Sequence, residues 1–422
     1  MQTPIKLIEH QQIDSKYVEE IKKYNLAFQQ TDYLKEPKYL GIYEYGANHY
    51  ASYYIGASWL VKNELAVIVT PKLKNTDFVT MFLAALEVDA KNESDYFAQC
   101  YGIQFDEPII ETDEQLNQLT PLLVLHFISL LERLVKRGLK KDYIIRDENL
   151  KTKVKGRLLF SRHLQKNVFQ QRSDRVYCQF QEYTDDIPEN RLLKKALLFA
   201  DKIINNYESL KSQSSYFEIQ SRLSKLKNTL GGISDEIEVY QVQKLSANKL
   251  FKEYKEAIRV AKMLLRRYDY SISEASQEQH TTPPFWIDMS RLYEMWVFCN
   301  LQKKGINEVL FQEKGFYGRQ IADFVIREEN LILDAKYKPD YQNNSFVDIN
   351  DIREISGNAR DESLLPDISE DYSPRCIILY PGDKCELLSE SEKLFSEQGT
   401  KIPHYRNFYK ISIKLPLREL FL

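Results

Sequence analysis

Along the first hundred residues, apolar positions come in short runs separated by polar breaks. YLGIYEYG (39–46), HYASYYIGA (49–57) and ELAVIVTPKL (64–73) are rich in Tyr, Val and Ile and predict strands, punctuated by Asn48 and Gly56. DFVTMFLAALEV (77–88) predicts a helix. From about 113 the period lengthens. LTPLLVLHFISLLERLVKRGL places apolar residues three and four apart and predicts a helix that Gly138 can end. DIPENRLLKKALLFADKIINNYESL (186–210), with Pro188 in its first turn, and SANKLFKEYKEAIRVAKMLLRRYDYSI (246–272) predict two more amphipathic helices. Between them and the first helix, KKDYIIRDENLKTKVKGRLLFSRHLQKN (140–167) reads as a strongly basic connection.

SEASQEQHTTPP (273–284) is polar, ends in two prolines and reads as a linker. After it, FWIDMSRLYEMWVFCNLQKKG (285–305) predicts a helix apolar on most of its surface. A hairpin follows at about 319–338, then a helix near 348–360 and strands at 375–381 and 408–416. The expected fold class is therefore multidomain α/β. A β-rich region (1–112) and a mostly helical middle region (113–280) precede an α/β domain (281–422).

Composition narrows this little. Hydrophobic residues make up 43% and aromatics 12%, an ordinary globular balance. A formal net charge of −3 means that any nucleic-acid contact must come from a local basic patch. Five scattered cysteines without a CxxC pair argue against a disulfide framework and a zinc ribbon, and for a reducing compartment. The N-terminus lacks an apolar signal core and no apolar run approaches a membrane span, so a cytoplasmic protein without membrane contact is expected.

The chemistry concentrates in ADFVIREENLILDAKYKPD (322–340). Two apolar runs flank the turn-like REEN, and each carries one aspartate. Side chains alternate along a strand, so Asp334 and Lys336 share a face, and folding back brings Asp323 near Asp334. An unpaired carboxylate among Ile, Val, Phe and Leu is costly, and two of them repel unless a cation lies between them. Mg²⁺ suits such a pair: it takes oxygen ligands and keeps waters for substrate phosphates. Asp323, Asp334 and the intervening Ala335 are the expected metal contacts. Lys336 is placed to orient or deprotonate a water or to stabilise a pentavalent phosphate. Glu294, embedded in LYEMWVF, is the helix carboxylate that would complete the set.

This D-x10-D-x-K spacing behind a helix Glu resembles the PD-(D/E)xK nucleases, with IAD where that family has PD. Further segments are similar in family order to McrC, the nuclease subunit of the McrBC modification-dependent restriction system. They are ELAVIVTPKL, RGLKKDYIIRDENLKTKVKGRLLFSRHL, DIPENRLLKKAL, IDMSRLYEMWVF and INDIREISGNARD (349–361). One departure stands out: Glu354 and Asn358 occupy places where the family usually has Gln and Tyr.

The resemblance implies a Mg²⁺-dependent DNA endonuclease subunit with Glu294, Asp323, Asp334 and Lys336 as its catalytic set. It would dock through its β-rich region on a McrB-like AAA+ GTPase ring, stimulate GTP hydrolysis there, and cut modified double-stranded DNA. GTP would be bound by the partner, and the chain has no GxxxxGK[ST] loop of its own. A double-strand cut needs two active sites, so self-association through the nuclease domain is expected. The basic residues Lys153, Lys155, Arg157 and Arg162, and Lys338 beyond the hairpin, are candidate contacts to DNA or the partner. Two other readings remain open: an inactive adaptor that only stimulates the GTPase, and a stand-alone repair nuclease of the same fold.

Overall fold

A computed structural model describes residues 3–28, 37–46, 48–73, 76–77, 80–82, 84–85, 96, 99–104, 107–112, 119–206, 214–242, 252–273, 280–303, 309–318, 320–343, 347–366, 373–382 and 399–416. The expected helix 77–88 lies largely outside them. The chain divides into two compact units, Met1–Leu119 with Gln279–Leu422, and Thr120–Glu278. The class is mixed α/β.

In the first unit, a five-stranded sheet runs in the order Ile5–Ile8, Leu65–Thr70, Tyr54–Val61, Phe285–Asp288, Tyr101–Ile103. The fourth strand corrects the reading of 285–305 as one helix. Phe285–Asp288 pairs antiparallel with both Tyr54–Val61 and Tyr101–Ile103, and the helix starts only at Met289. Asp288 makes the switch: its Oδ1 accepts from the backbone N–H of Ser290 and Arg291, both at 3.1 Å, and so caps the helix. The run 39–46 is also broken, with a turn at Lys38–Gly41 before the short strand Tyr43–Tyr45.

Where Phe285 joins this sheet, Gly56 has φ 141°, and a Cβ there would lie 2.2 Å from the Phe285 carbonyl oxygen. Only glycine fits that approach. Gly56→Ala is expected to cost about 2 kcal/mol, the scale of overpacking and backbone strain. A drop in the urea midpoint with unchanged slope would show it.

A second sheet of this unit carries the site. Its elements are helix α1 (Met289–Lys303), strands β1 (Leu310–Lys314), β2 (Ile321–Ile326) and β3 (Leu331–Ala335), and helix α2 (Ile349–Asn358). The six-stranded order is β1, β2, β3, then Arg375–Gly382, Phe408–Lys414 and Thr400–Lys401. β1, β2 and β3 form an antiparallel meander, and β3 runs parallel to Arg375–Gly382. The expected hairpin is present. Arg327–Glu329 turns the chain and Asn330 takes the left-handed conformation (φ 51°), which Asn tolerates better than most residues.

β3 is fully buried from Leu331 to Ala335, as its continuous apolar run requires. On one side, Ile352 and Ile355 of α2 pack with Val325, Ile332 and Ile378. On the other, Phe298 of α1 stacks with Phe311 of β1 and Phe324 of β2 at 4.6 and 6.2 Å between ring centroids. The two helices thus flank the strand that bears Asp334.

The second unit holds helices Leu119–Arg137, Pro188–Asn206, Ser214–Thr229 and Lys252–Ser273. The basic connection 140–167 is not a loop: Asp142–Lys151 is a strand that pairs residue for residue with Arg175–Thr184, and Arg157–Leu158 and Phe160–His163 form a short strand and a helical turn. Tyr143, Ile145 and Tyr183 are exposed there. The opposite face, with Ile144, Arg146, Glu148 and Leu150, is half-buried, but two of those four residues are charged, so no apolar alternation marks the strand. Among the described residues no helix is long and apolar enough to cross a membrane.

Candidate active site

The ladder partners Phe324–Leu333 and Val325–Ile332 continue to place Asp323 across from Asp334. Both side chains lie where β2 meets β3. Asp323 Oδ2 accepts the Ala335 backbone N–H at 2.9 Å. Asp334 is buried; its Oδ2 accepts no well-aligned hydrogen bond, and the Lys336 ammonium sits 3.1 Å away as an ion pair. Lys336 also reaches Glu354 Oε2 on α2 at 2.7 Å.

Glu294 lies one helical turn before Phe298, on the side of α1 that packs on the sheet. Its Oε2 accepts from the Tyr96 hydroxyl and, at 3.0 Å, from Gln312 Nε2. Gln312 Nε2 also donates to Asp323 Oδ1 at 3.1 Å. Four of the expected residues therefore come together: Glu294, Asp323, Asp334 and Lys336.

The electrostatics follow from crowding acids in an apolar site. Burial, reinforced by the Asp288 charge, pushes the Glu294 carboxyl up to about 8, against the Tyr96 hydrogen bond. Burial and then Glu294 push Asp323 up to about 7, although Lys336 and the Ala335 N–H favour its charge. Burial and Asp323 raise Asp334 well above the usual carboxylate range. Burial disfavours the Lys336 ammonium, but Asp334, Asp323 and Glu354 outweigh it and raise its pKa, so it stays a cation. Burial, with Glu294 nearby, likewise keeps Tyr96 a protonated donor.

Converging buried carboxylates, with an Asp334 oxygen that meets the Lys336 ammonium but accepts no aligned hydrogen bond, fit a hard divalent cation, which takes oxygen ligands and displaces the protons. Among the described residues no three His, Cys, Asp or Glu side chains form a ready-made cage. The donor set suits instead a hard cation that one or two carboxylates would hold. Asp323 and Asp334 are the residues that would hold it.

The remaining candidates lie elsewhere. Lys338 is engaged by both oxygens of Asp351 at 3.0 and 2.8 Å, with Asp348 at 3.5 Å. In the second unit, Arg162 pairs with Asp147 at 2.6 Å and Lys155 lies over the Phe180 ring, while Lys153 and Arg157 are exposed. Asn358 is buried and donates to the Ile321 carbonyl at 3.3 Å.

Sequence reasoning missed Tyr96, Gln312 and Lys72. Lys72 donates to the Tyr337 carbonyl at 2.6 Å, next to Lys336, and its backbone N–H binds buried Glu9 at 3.1 Å. A lone Tyr, Gln or Lys far along the chain carries no spacing signal.

The model of a family described as "McrBC 5-methylcytosine restriction system component" matches residues 51–353, well over half of the chain. No protein of curated function matches it. Two solved structures are similar. A half-complex from a tetradecameric assembly of Thermococcus gammatolerans McrB AAA+ hexamers with bound McrC matches at 15% identity and TM-score 0.39, covering 100% of this chain and 97% of that chain. The Thermococcus gammatolerans McrBC complex matches at 17% identity and TM-score 0.31, covering 72% and 88%. At these scores the likeness assigns no residue a role.

Proposed function

The chain belongs to the family of McrBC 5-methylcytosine restriction system components, and from that premise we propose that it is a McrC-like nuclease subunit. Its activity is Mg²⁺-dependent hydrolysis of DNA phosphodiesters by a PD-(D/E)xK domain, exerted when docked on a McrB-like AAA+ GTPase ring. The observation that carries this reading is the convergence of Glu294, Asp323 and Asp334 with the Lys336 ammonium on one hairpin and its flanking helix. Membership alone would fit a component without chemistry; such a cluster has no structural need.

Within this reading, Asp323 and Asp334 would hold Mg²⁺, which when bound would supply an activated water and neutralise phosphate charge. Ala335 fixes Asp323 through its backbone N–H. Lys336 remains a cation and stabilises negative charge gathering on the phosphate. Glu354 restrains that ammonium from α2. Tyr96 holds Glu294 in place.

Two outcomes test these parts. Tyr96→Phe removes the donor to Glu294 and is expected to slow cleavage about tenfold, the upper range for one lost hydrogen bond. Glu354→Gln keeps the shape but loosens Lys336 and is expected to change the rate by a few-fold only, because the pair is exposed on the glutamate side.

The experiment for the whole reading mixes the purified chain with its genomic-neighbour NTPase and follows both GTP hydrolysis and scission of methylated DNA. Stimulated hydrolysis with Mg²⁺-dependent scission supports it. Stimulated hydrolysis without scission would make the chain an adaptor, and scission without the partner a stand-alone nuclease.

A further inference from the structure

Gln312 stands in the middle of β1 in the left-handed conformation, φ 54°, where a strand residue is ordinarily extended. The ladder between β1 and β2 holds on both sides of it, at Phe311–Phe324 and Glu313–Ala322, but skips the pair that Gln312 would make with Asp323. The backbone is therefore twisted at one residue, and that residue lies across from a metal-site aspartate. The twist delivers a single amide nitrogen to two acids, 3.0 Å from Glu294 Oε2 and 3.1 Å from Asp323 Oδ1. An amide nitrogen carries two hydrogens, and both are used.

We propose that Gln312 is a positioning residue that spaces Glu294 and Asp323 for the cation by bridging them through its side-chain amide. This rests on the nuclease reading of the site. Two carboxylates on facing elements repel when both are charged, or share a proton when they are not. Either state moves them from the spacing a cation needs. A neutral double donor satisfies both without adding a charge that would compete with the metal. Asp323 is then tied at each oxygen, by Gln312 on Oδ1 and by Ala335 on Oδ2. Glu294 is tied at one oxygen by two donors from different segments, Tyr96 and Gln312. A lysine in this place would repel the cation, and an apolar residue would leave the acids unspaced. Local backbone strain serving a site is the pattern expected where geometry matters more than strand regularity.

The test is calorimetric titration of Mn²⁺ and Mg²⁺ into the full-length chain, comparing wild type, Asp334→Asn, Gln312→Met and Gln312→Leu. Met and Leu keep bulk and delete both donors. Thermal unfolding in EDTA checks that each variant is folded. The expected result is a dissociation constant about tenfold weaker for the Gln312 variants, with binding abolished in Asp334→Asn. In cleavage assays the Mg²⁺ concentration for half-maximal rate should rise by the same factor, most of the loss being recovered at saturating Mg²⁺. An unchanged dissociation constant in a folded Gln312 variant overturns the inference while leaving the nuclease reading intact. So does a rate loss that Mg²⁺ does not recover, or failure of both variants to fold, which would mark Gln312 as a support of the strand alone. Absence of divalent-cation binding by wild type would overturn the nuclease reading and this inference together.

Discussion

Asp334→Asn is expected to lower the DNA cleavage rate by at least about a thousandfold and, in the same molecule, to stabilise the metal-free fold. The rate effect follows from the loss of a charged metal contact. A thousandfold is about 4 kcal/mol of transition-state stabilisation, within what a bound metal ion contributes as Lewis acid and water activator. The stability effect has the opposite sign for a physical reason. Asp334 is buried with an oxygen that accepts no aligned hydrogen bond, and burial together with Asp323 raises its pKa strongly. Asparagine removes the charge at nearly the same volume. Loss of cleavage together with a higher unfolding temperature in EDTA at pH 8 separates an active-site residue from a framework residue, whose removal would lower both.

Metal-free protein is expected to lose stability as pH rises from about 5 to about 8, and Mg²⁺ to restore it. Asp323 and Glu294 have folded-state values of about 7 and about 8, above the ordinary carboxylate range. Between pH 4 and 7 the folded state holds a proton at Asp323 that the unfolded state has released. Stability therefore falls with rising pH in that window, and the contribution is gone once pH passes the folded value. At about 1.4 kcal/mol per unit, Asp323 alone accounts for at most about 4 kcal/mol. The acids that hydrogen bonds hold low, such as Asp361 and Asp348, titrate below this window and do not mask it. Urea unfolding at pH 5, 6, 7 and 8 in EDTA measures the fall. Asp323→Asn should flatten it without abolishing it, because Glu294 and buried Glu9 are also raised, to about 8 and about 7. Adding Mg²⁺ at pH 8 should recover stability in wild type and not in Asp334→Asn. Stability that is level in EDTA from pH 5 to 8 would contradict the assigned electrostatics.

The hairpin was legible because its exceptions were. Asp323 and Asp334 interrupt apolar runs, and strand periodicity alone places Lys336 beside Asp334. Glu294 was legible for the same reason, a charge inside LYEMWVF. Phe285–Asp288 was not: with Phe, Trp and Ile at every spacing, a buried strand and a buried helix read alike, and only the capping by Asp288 separates them. The strand Asp142–Lys151 escaped for the opposite reason: its half-buried face puts Arg146 and Glu148 between Ile144 and Leu150, so no apolar alternation announces it. Tyr96 meets Glu294 across 198 residues of chain, a closure that no local pattern announces. Gln312 is an ordinary polar residue beside Phe311, and its importance arises from one backbone angle. Glu354 reads in sequence as a departure from the family, yet the structure gives it a definite contact, the Lys336 ammonium.

The most direct test of the central claim is plasmid cleavage. Methylated and unmethylated plasmid would be incubated with the chain, with and without its neighbouring NTPase, in Mg²⁺ and GTP, beside the Asp334→Asn variant. The account predicts double-strand cuts only with methylation, partner, nucleotide and intact Asp334 all present. Undiminished cutting by Asp334→Asn would contradict it.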